Sequence, residues 1–166
     1  YPDLLKFLDQ SLRPKANWSI SAEYPTTLTQ ENLHNIRIIK EGNTVLSHAA
    51  LKPHILKTPM AIFKVAAIGS VVTNDQYRNS GYSKKVLEDC LDIAKVQDCD
   101  VAILWTNLYD FYQKIGFSLG GFEISLVINE DFKGTIDPSV KILKSAQVDP
   151  LSLHKVMTQH TVMTFR

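Results

Sequence analysis

Cysteine is scarce in this chain: Cys90 and Cys99 are the only two among 166 residues. They are too few for a disulfide scaffold and lack the spacing of a metal-ligand set, so no metal is expected. Long apolar runs are missing too. The longest uncharged stretches, Val65 to Asn74 and Val156 to Phe165, fall short of the roughly 20 apolar residues that span a bilayer. Neither charge sign is in excess, since 18 Lys and Arg face 17 Asp and Glu for a net charge of +1. With the pI near 7.9, no overall field exists to hold nucleic acid. Neither a nucleic acid nor a membrane partner is expected. No basic segment followed by an apolar core opens the chain, which leads to the expectation of a cytoplasmic protein. The start at Tyr1 and the end inside the pattern Thr161-Val162-Met163-Thr164-Phe165 suggest a piece of a longer polypeptide, with further domains beyond it.

What is present is the composition of a globular domain: 45% hydrophobic, 21% charged, with only 7 Gly and 7 Pro. Residues 1–166 match one domain in length, with 131–166 read as a C-terminal extension. Leu4, Leu5, Leu8 and Leu12 recur at helical spacing until Pro14, predicting a helix over 2–12. Pro25 and the polar stretch 26–35 interrupt. Ile36 to Lys40 and Thr44 to Leu51 flank Glu41-Gly42-Asn43 as a hairpin. The chain then turns near Thr58-Pro59 into Val65 to Thr73, a charge-free run typical of a strand buried on both faces. Tyr82, Val86, Leu87, Cys90, Leu91 and Ala94 form one apolar helical face, and Cys90 is read as core rather than nucleophile. Val101 to Trp105 reads as a second buried strand, so that strand, helix and strand make a parallel right-handed crossover. A short helix over 110–115 stops at Gly116. A strand over 122–128, a strand near 140–143 and a helix over 150–159 complete the reading. Trp18, Trp105 and Phe111-Tyr112 are too sparse among basic residues to form a stacking platform.

Ligands of such sheets favour the crevice beyond the carboxyl ends of the parallel strands. Thr73-Asn74, Thr106-Asn107 and the helix start at Ser80-Gly81 lie on that edge. The loop Gln76-Tyr77-Arg78-Asn79-Ser80-Gly81-Tyr82-Ser83 combines small residues, outward backbone N–H groups and a guanidinium beside a helix N-terminus, which are the parts of an anion site. Lys84 and Lys85 oppose the helix dipole by a few tenths of a kcal/mol to about 1 each, a conflict that a bound phosphate would remove.

A buried strand, then Arg78-Asn79-Ser80-Gly81-Tyr82-Ser83 opening an amphipathic helix, a second strand, and Phe111-Tyr112-Gln113-Lys114-Ile115-Gly116-Phe117 resemble the GNAT superfamily of N-acetyltransferases, over about residues 35–122. The resemblance implies an α/β (α+β) fold: a mixed, mostly antiparallel sheet with one parallel strand-helix-strand crossover and helices on both faces. It also implies that Arg78, Asn79, Ser80, Gly81, Tyr82 and Ser83 cradle the pyrophosphate of acetyl-CoA. The strand ending Val71, Val72, Thr73 would pair with the pantetheine arm, and Tyr112 would protonate the departing thiolate. Ser83 stands where Gly or Ala is usual; it is only slightly larger and can donate to a phosphate. The stretches 7–14, 23–25, 32–33 and Ser47-His48-Ala49 are similar to the N-terminal module of bacterial multi-domain acetyltransferases related to the enhanced intracellular survival proteins.

An amine acceptor, a small molecule or a peptide, is mostly protonated at neutral pH, since its pKa is about 10.4, and must lose a proton before it attacks a thioester. The strand over 65–73 contains no Asp or Glu for that purpose. His48, His54 and Glu123 remain as candidate bases, with His48 the strongest. A backbone N–H of Val71 or Val72 can serve the developing oxyanion if the strand bulges there. Tyr112, with a phenol pKa of about 10, can donate to a thiolate whose parent pKa is about 8.5. The competing expectation is a non-catalytic acyl-CoA-binding or scaffolding domain that keeps the Arg78 to Ser83 loop without turnover.

Overall fold

The computed structural model describes residues 1–58, 60–121, 134, 138–139, 141 and 143–159. They fall into two compact units, the first over Tyr1–Gly116 and the second over the described residues from Phe117 to Gln159.

In the first unit, α1 (Pro2–Leu12) begins with Pro2 in its first turn and Asp3 beside its positive end, and buries Leu4 and Leu8. A four-residue helix, α2 (Ile20–Glu23), follows; the local sequence does not announce it, because it is too short to show periodicity. Tertiary contacts hold it instead. Asp9 Oδ1 accepts from Ile20 N at 2.7 Å and Ser19 Oγ at 3.2 Å, and Arg13 bonds both carboxylate oxygens of Glu23 at 2.7 and 2.8 Å. The polar stretch expected to interrupt the chain contains a 3-10 helix over Gln30–Asn35. Asn32 Nδ2 donates to the carbonyls of Thr27 (2.9 Å) and Leu51 (3.0 Å), and Asn35 Nδ2 donates to Asn32 Oδ1 at 2.9 Å. These buried amides close a segment that has little apolar surface of its own.

Among the described residues, four strands run in the order β1 (Ile36–Glu41), β2 (Thr44–Lys57), β3 (Ile62–Thr73), β4 (Val101–Ile103). The β1–β2 hairpin turns where expected, at Gly42 with φ 55°, which glycine adopts without steric cost. β2 is buried continuously from Val45 to Leu51, as suits a central strand. Both β1–β2 and β2–β3 are antiparallel, whereas β3 and β4 are parallel through Val65↔Val101, Ala66↔Ala102 and Ala67↔Ile103. The 15-residue crossover helix α3 (Tyr82–Val96) buries Val86, Leu87, Cys90 and Ala94, the apolar face legible in the sequence. Helices cover both faces. Val72 packs with Ala50 and Ile36 against Leu4, Leu8 and Ile20, while the next residue, Thr73, faces α3 through Ser83.

Three expectations are corrected. β4 is not a buried run over 101–105: it ends at Ile103, and Val101 and Trp105 are exposed. β3 is buried on both faces only toward its middle, at Val65, Ala66 and Ile68, and opens from Gly69 to Val72. The short helix is α4 (Tyr109–Gln113), which starts one residue earlier than expected, where Thr106 Oγ1 accepts from Leu108 N at 2.9 Å, and ends two residues earlier.

The second unit contains a 3-10 turn over Ser145–Gln147, absent from the sequence reading, and α5 (Pro150–Gln159), where that reading has a helix. Asp149 caps α5, its carboxylate accepting from Ser152 N at 2.9 Å and Ser152 Oγ at 2.8 Å; these bonds hold the carboxyl below its ordinary value. Val156 is exposed. Lys141 and Leu143 are not in a strand; the strand expected over 122–128, and residues 140, 142 and 160–166, lie outside the described residues.

Candidate active site

The site is assembled on the second half of β3. Its ladder with β2 runs Ser47↔Thr73 and His48↔Val72 and resumes at Ala50↔Gly69, so β3 carries one extra residue opposite Ala49. That is a β-bulge. Ser70 takes φ 52° in it, left-handed backbone that a residue with a Cβ adopts at a cost of about 1–2 kcal/mol. On its other side β3 pairs with β4 only as far as Ala67. From Ile68 to Thr73 that edge has no strand partner among the described residues. The bulge and the splayed edge thus coincide at Val71, Val72 and Thr73, where a backbone-pairing ligand arm was expected.

Beyond Thr73 the chain enters the loop predicted to take an anion. Asn74 N donates to Leu46 O at 2.8 Å, and Asn74 Oδ1 accepts from Gln76 N at 3.1 Å. Asn79 (φ 65°) and Gly81 (φ 79°) are both left-handed, and Gly81 is the N-cap of α3. That helix start carries neither a side-chain cap nor an acid in its first turn. The first N–H groups of Tyr82, Ser83 and Lys84 therefore have no intrahelical acceptor, and positive dipole meets positive side chains. Lys84 is paired at long range with Glu88, 3.7 Å away. Arg78 is largely exposed and rests on Asp75 at 2.6 Å, a solvent-screened pair that costs little to exchange for a phosphate. Asn79 and Ser80 are exposed beside it, and Tyr82 is half-buried.

Ser83 is engaged differently from the expectation. Its Oγ lies 2.6 Å from Thr73 Oγ1, which lies 2.9 Å from Ser47 Oγ, and Ser47 Oγ donates to Val72 O at 3.2 Å. With one proton per hydroxyl, that last bond makes Thr73 the donor to Ser47 and Ser83 the donor to Thr73. The Ser83 hydroxyl proton is thus spent on the sheet, not on the loop where an anion was expected. Its side chain ties the helix start to the bulged strand, a role that Gly or Ala could not fill. Ser47 and Ser70 belong to this candidate site without having been singled out in the sequence; a serine at positive φ has no local signature.

Thr106 and Asn107 follow β4 at the same carboxyl edge, with the Thr106 hydroxyl held by Leu108 N. Tyr112 is buried on α4, its ring edge-on to Phe111 at 5.0 Å and 82°. Burial raises its phenol pKa, which keeps the hydroxyl protonated at neutral pH.

His48 is fully buried. Its Nδ1 lies 2.7 Å from Ser70 O, and because a carbonyl only accepts, Nδ1 carries the proton. Nε2, the atom a base would use, is enclosed and has no protein hydrogen-bond partner among the described residues. Burial lowers the imidazole pKa to about 4, against the opposing effect of the Ser70 carbonyl. A ring this enclosed and this weakly basic does not present itself to an acceptor amine, which corrects the expectation of His48 as the base. His54 is opposite Val65, six residues beyond His48 on β2 and about 20 Å from it at roughly 3.3 Å per residue. Glu123 is outside the described residues.

Residues 7–120 match the family model described as "Acetyltransferase (GNAT) domain". No curated protein matches the chain. Among solved structures, an acetyltransferase from Trypanosoma brucei is 20% identical with a TM-score of 0.58, over 76% of this chain and 92% of that one. Glucosamine-6-phosphate N-acetyltransferase from Arabidopsis thaliana is 24% identical with a TM-score of 0.50, over 57% of this chain and 66% of that one. A GCN5-related N-acetyltransferase from Kribbella flavida is 17% identical with a TM-score of 0.58, over 68% of this chain but 29% of that one. At these identities the likenesses establish the fold.

Proposed function

Since the chain belongs to the acetyltransferase (GNAT) domain family, we propose that it moves an acetyl group from acetyl-CoA to a primary amine of a small molecule or peptide by direct attack on the thioester. The observation that carries this reading is the uncapped start of α3 beside Arg78, set at the end of a bulged strand whose outer edge, among the described residues, is open from Ile68 to Thr73. Acetyl-CoA supplies an acyl group already activated as a thioester. The loop Arg78–Ser83 holds its pyrophosphate through backbone N–H groups and the guanidinium, which leaves Asp75 to do so. Val71, Val72 and Thr73 pair with the pantetheine arm, the N–H of Val71 or Val72 serves the charge that develops on the thioester oxygen, and Thr106-Asn107 flank the arm from β4. Tyr112 delivers the proton that the leaving sulfur takes up. The acceptor ammonium loses one proton to water before it attacks, and the second proton that its nitrogen sheds as the amide forms restores the Tyr112 phenol. We read the chain as cytoplasmic. We also read it as the N-terminal module of a multi-domain acetyltransferase, a reading supported by solved relatives more than three times its matched length.

CoA at about 100 times its Kd would stabilise the fold by about 2.7 kcal/mol, raising Tm by roughly 5–10 °C. Arg78→Ala and Gly81→Val would shrink that shift sharply, the valine because φ 79° at Gly81 strains any side chain even where space is open. A folded wild-type chain with no shift at saturating CoA overturns the proposal. The enclosure of His48 and the lack of an acid on β3 favour a second reading, an acyl-CoA-binding domain without turnover. Release of free CoA thiol with a panel of amines separates the two.

A further inference from the structure

We propose that His48 is a positioning residue, whose Nδ1–H on the Ser70 carbonyl holds the β3 bulge in the shape that acyl-CoA requires. This rests on the function proposed above.

Three observations meet here. Ser70 sits at φ 52° without being glycine, so an interaction elsewhere must hold it there. The 2.7 Å bond from His48 Nδ1 ends on the carbonyl of that residue and crosses from β2 to β3 where the ladder slips by one residue. The ring is also fully buried at a cost, since Nε2 has no protein partner among the described residues. A leucine of similar size would fill the space without leaving a polar atom unpaired. The imidazole therefore contributes through Nδ1. Its low pKa keeps the ring neutral and the tautomer constant across the physiological range, so the strut does not switch with pH. Val72, directly opposite His48, packs on the α1–α2 core, and Thr73 is tied through its hydroxyl to Ser83. With the strand anchored on either side of Val71, the conformation of Ser70 decides how the backbone from Val71 onward is presented along the open edge.

The test compares His48→Leu, which removes the donor, with His48→Asn, whose Nδ2 can stand where Nδ1 stood. Both are combined with Ser70→Gly, which makes positive φ free. Calorimetric CoA binding is expected to weaken about tenfold in His48→Leu, the equivalent of the left-handed penalty. It should be nearly preserved in His48→Asn. The His48→Leu/Ser70→Gly pair should recover most of the loss, a gain the same glycine does not give in the wild-type background. A side chain that merely fills space would not be rescued in that way. Loss of binding in His48→Asn equal to that in His48→Leu, or no rescue by glycine, overturns the proposal. Nitrogen NMR of the CoA-free wild-type chain gives a readout that needs neither a variant nor CoA: the Nδ1–H tautomer and left-handed Ser70 shifts are expected, and an Nε2–H tautomer sinks the strut. If the wild-type chain binds no CoA while those signals are present, the functional reading fails and the strut stands.

Discussion

At the scale of single residues, two side chains marked for proton chemistry part company. Tyr112 keeps the property that a general acid needs. Its phenol is protonated at neutral pH and burial strengthens that preference, while the edge-on contact with Phe111 fixes its ring. Removing the hydroxyl should leave CoA affinity nearly unchanged, because the proposed cofactor contacts are on Arg78–Ser83 and the end of β3. Tyr112→Phe is expected to lower kcat by about 10²–10⁴-fold on a verified amine, the usual range for general acid catalysis. Steady-state rates beside CoA calorimetry check this, and wild-type turnover in the phenylalanine variant would return Tyr112 to the core. His48 shows the converse: the strongest of the remaining candidate bases is enclosed and bonded to backbone.

Elements were legible in the sequence in proportion to their periodicity. α1, α3, the β1–β2 hairpin and the β3–β4 crossover could be read because Leu4/Leu8, Val86/Leu87/Cys90 and the Gly42 turn carry local signals that agree with the fold. The loop at Arg78–Ser83 was legible for the same reason, since small residues before an amphipathic face mark an uncapped helix start. What escaped is held by contacts distant in sequence. The 3-10 helix Gln30–Asn35 has no apolar period and is fixed by Asn32 reaching Leu51, and the Ser47–Thr73–Ser83 hydroxyl chain joins three elements. The short extent of β4 escaped because an apolar run does not say how much of it finds a partner. Asn32→Ala makes this dependence measurable. It removes the donor that the carbonyls of Thr27 and Leu51 share and the acceptor of Asn35 Nδ2, which keeps His34 Nε2 at 3.1 Å, and should cost about 2–3 kcal/mol. A calorimetric Tm lower by roughly 4–12 °C is the expected result, and an unchanged Tm would show that the buried amides are not what holds this segment.

For the whole molecule, the near-balance of charge leaves pH to act through a few groups. The folded chain holds His48 at a pKa of about 4, whereas the unfolded chain offers the ordinary value of 6.5. Protons therefore favour the unfolded state below pH 6.5, and the stability present above that value is lost as the pH falls toward 4, by roughly 3 kcal/mol in all. His54, lowered by burial and by Lys52, pulls in the same direction. Urea unfolding at pH 7 and 4.5 should show the loss, and His48→Asn, which keeps a donor but cannot titrate, should flatten it. An equally steep loss in that variant would assign the acid sensitivity to other groups. Cys90, at the centre of the α3 apolar face, carries a further consequence. Its thiol is fully enclosed and pushed up to about 12, so the nucleophilic thiolate is almost absent at neutral pH, while Cys99 is only half-buried. With Cys99 replaced by serine, the remaining sulfur becomes a clock: a disulfide dye can mark it only when α3 lifts off the sheet, and the rate of colour development counts those openings.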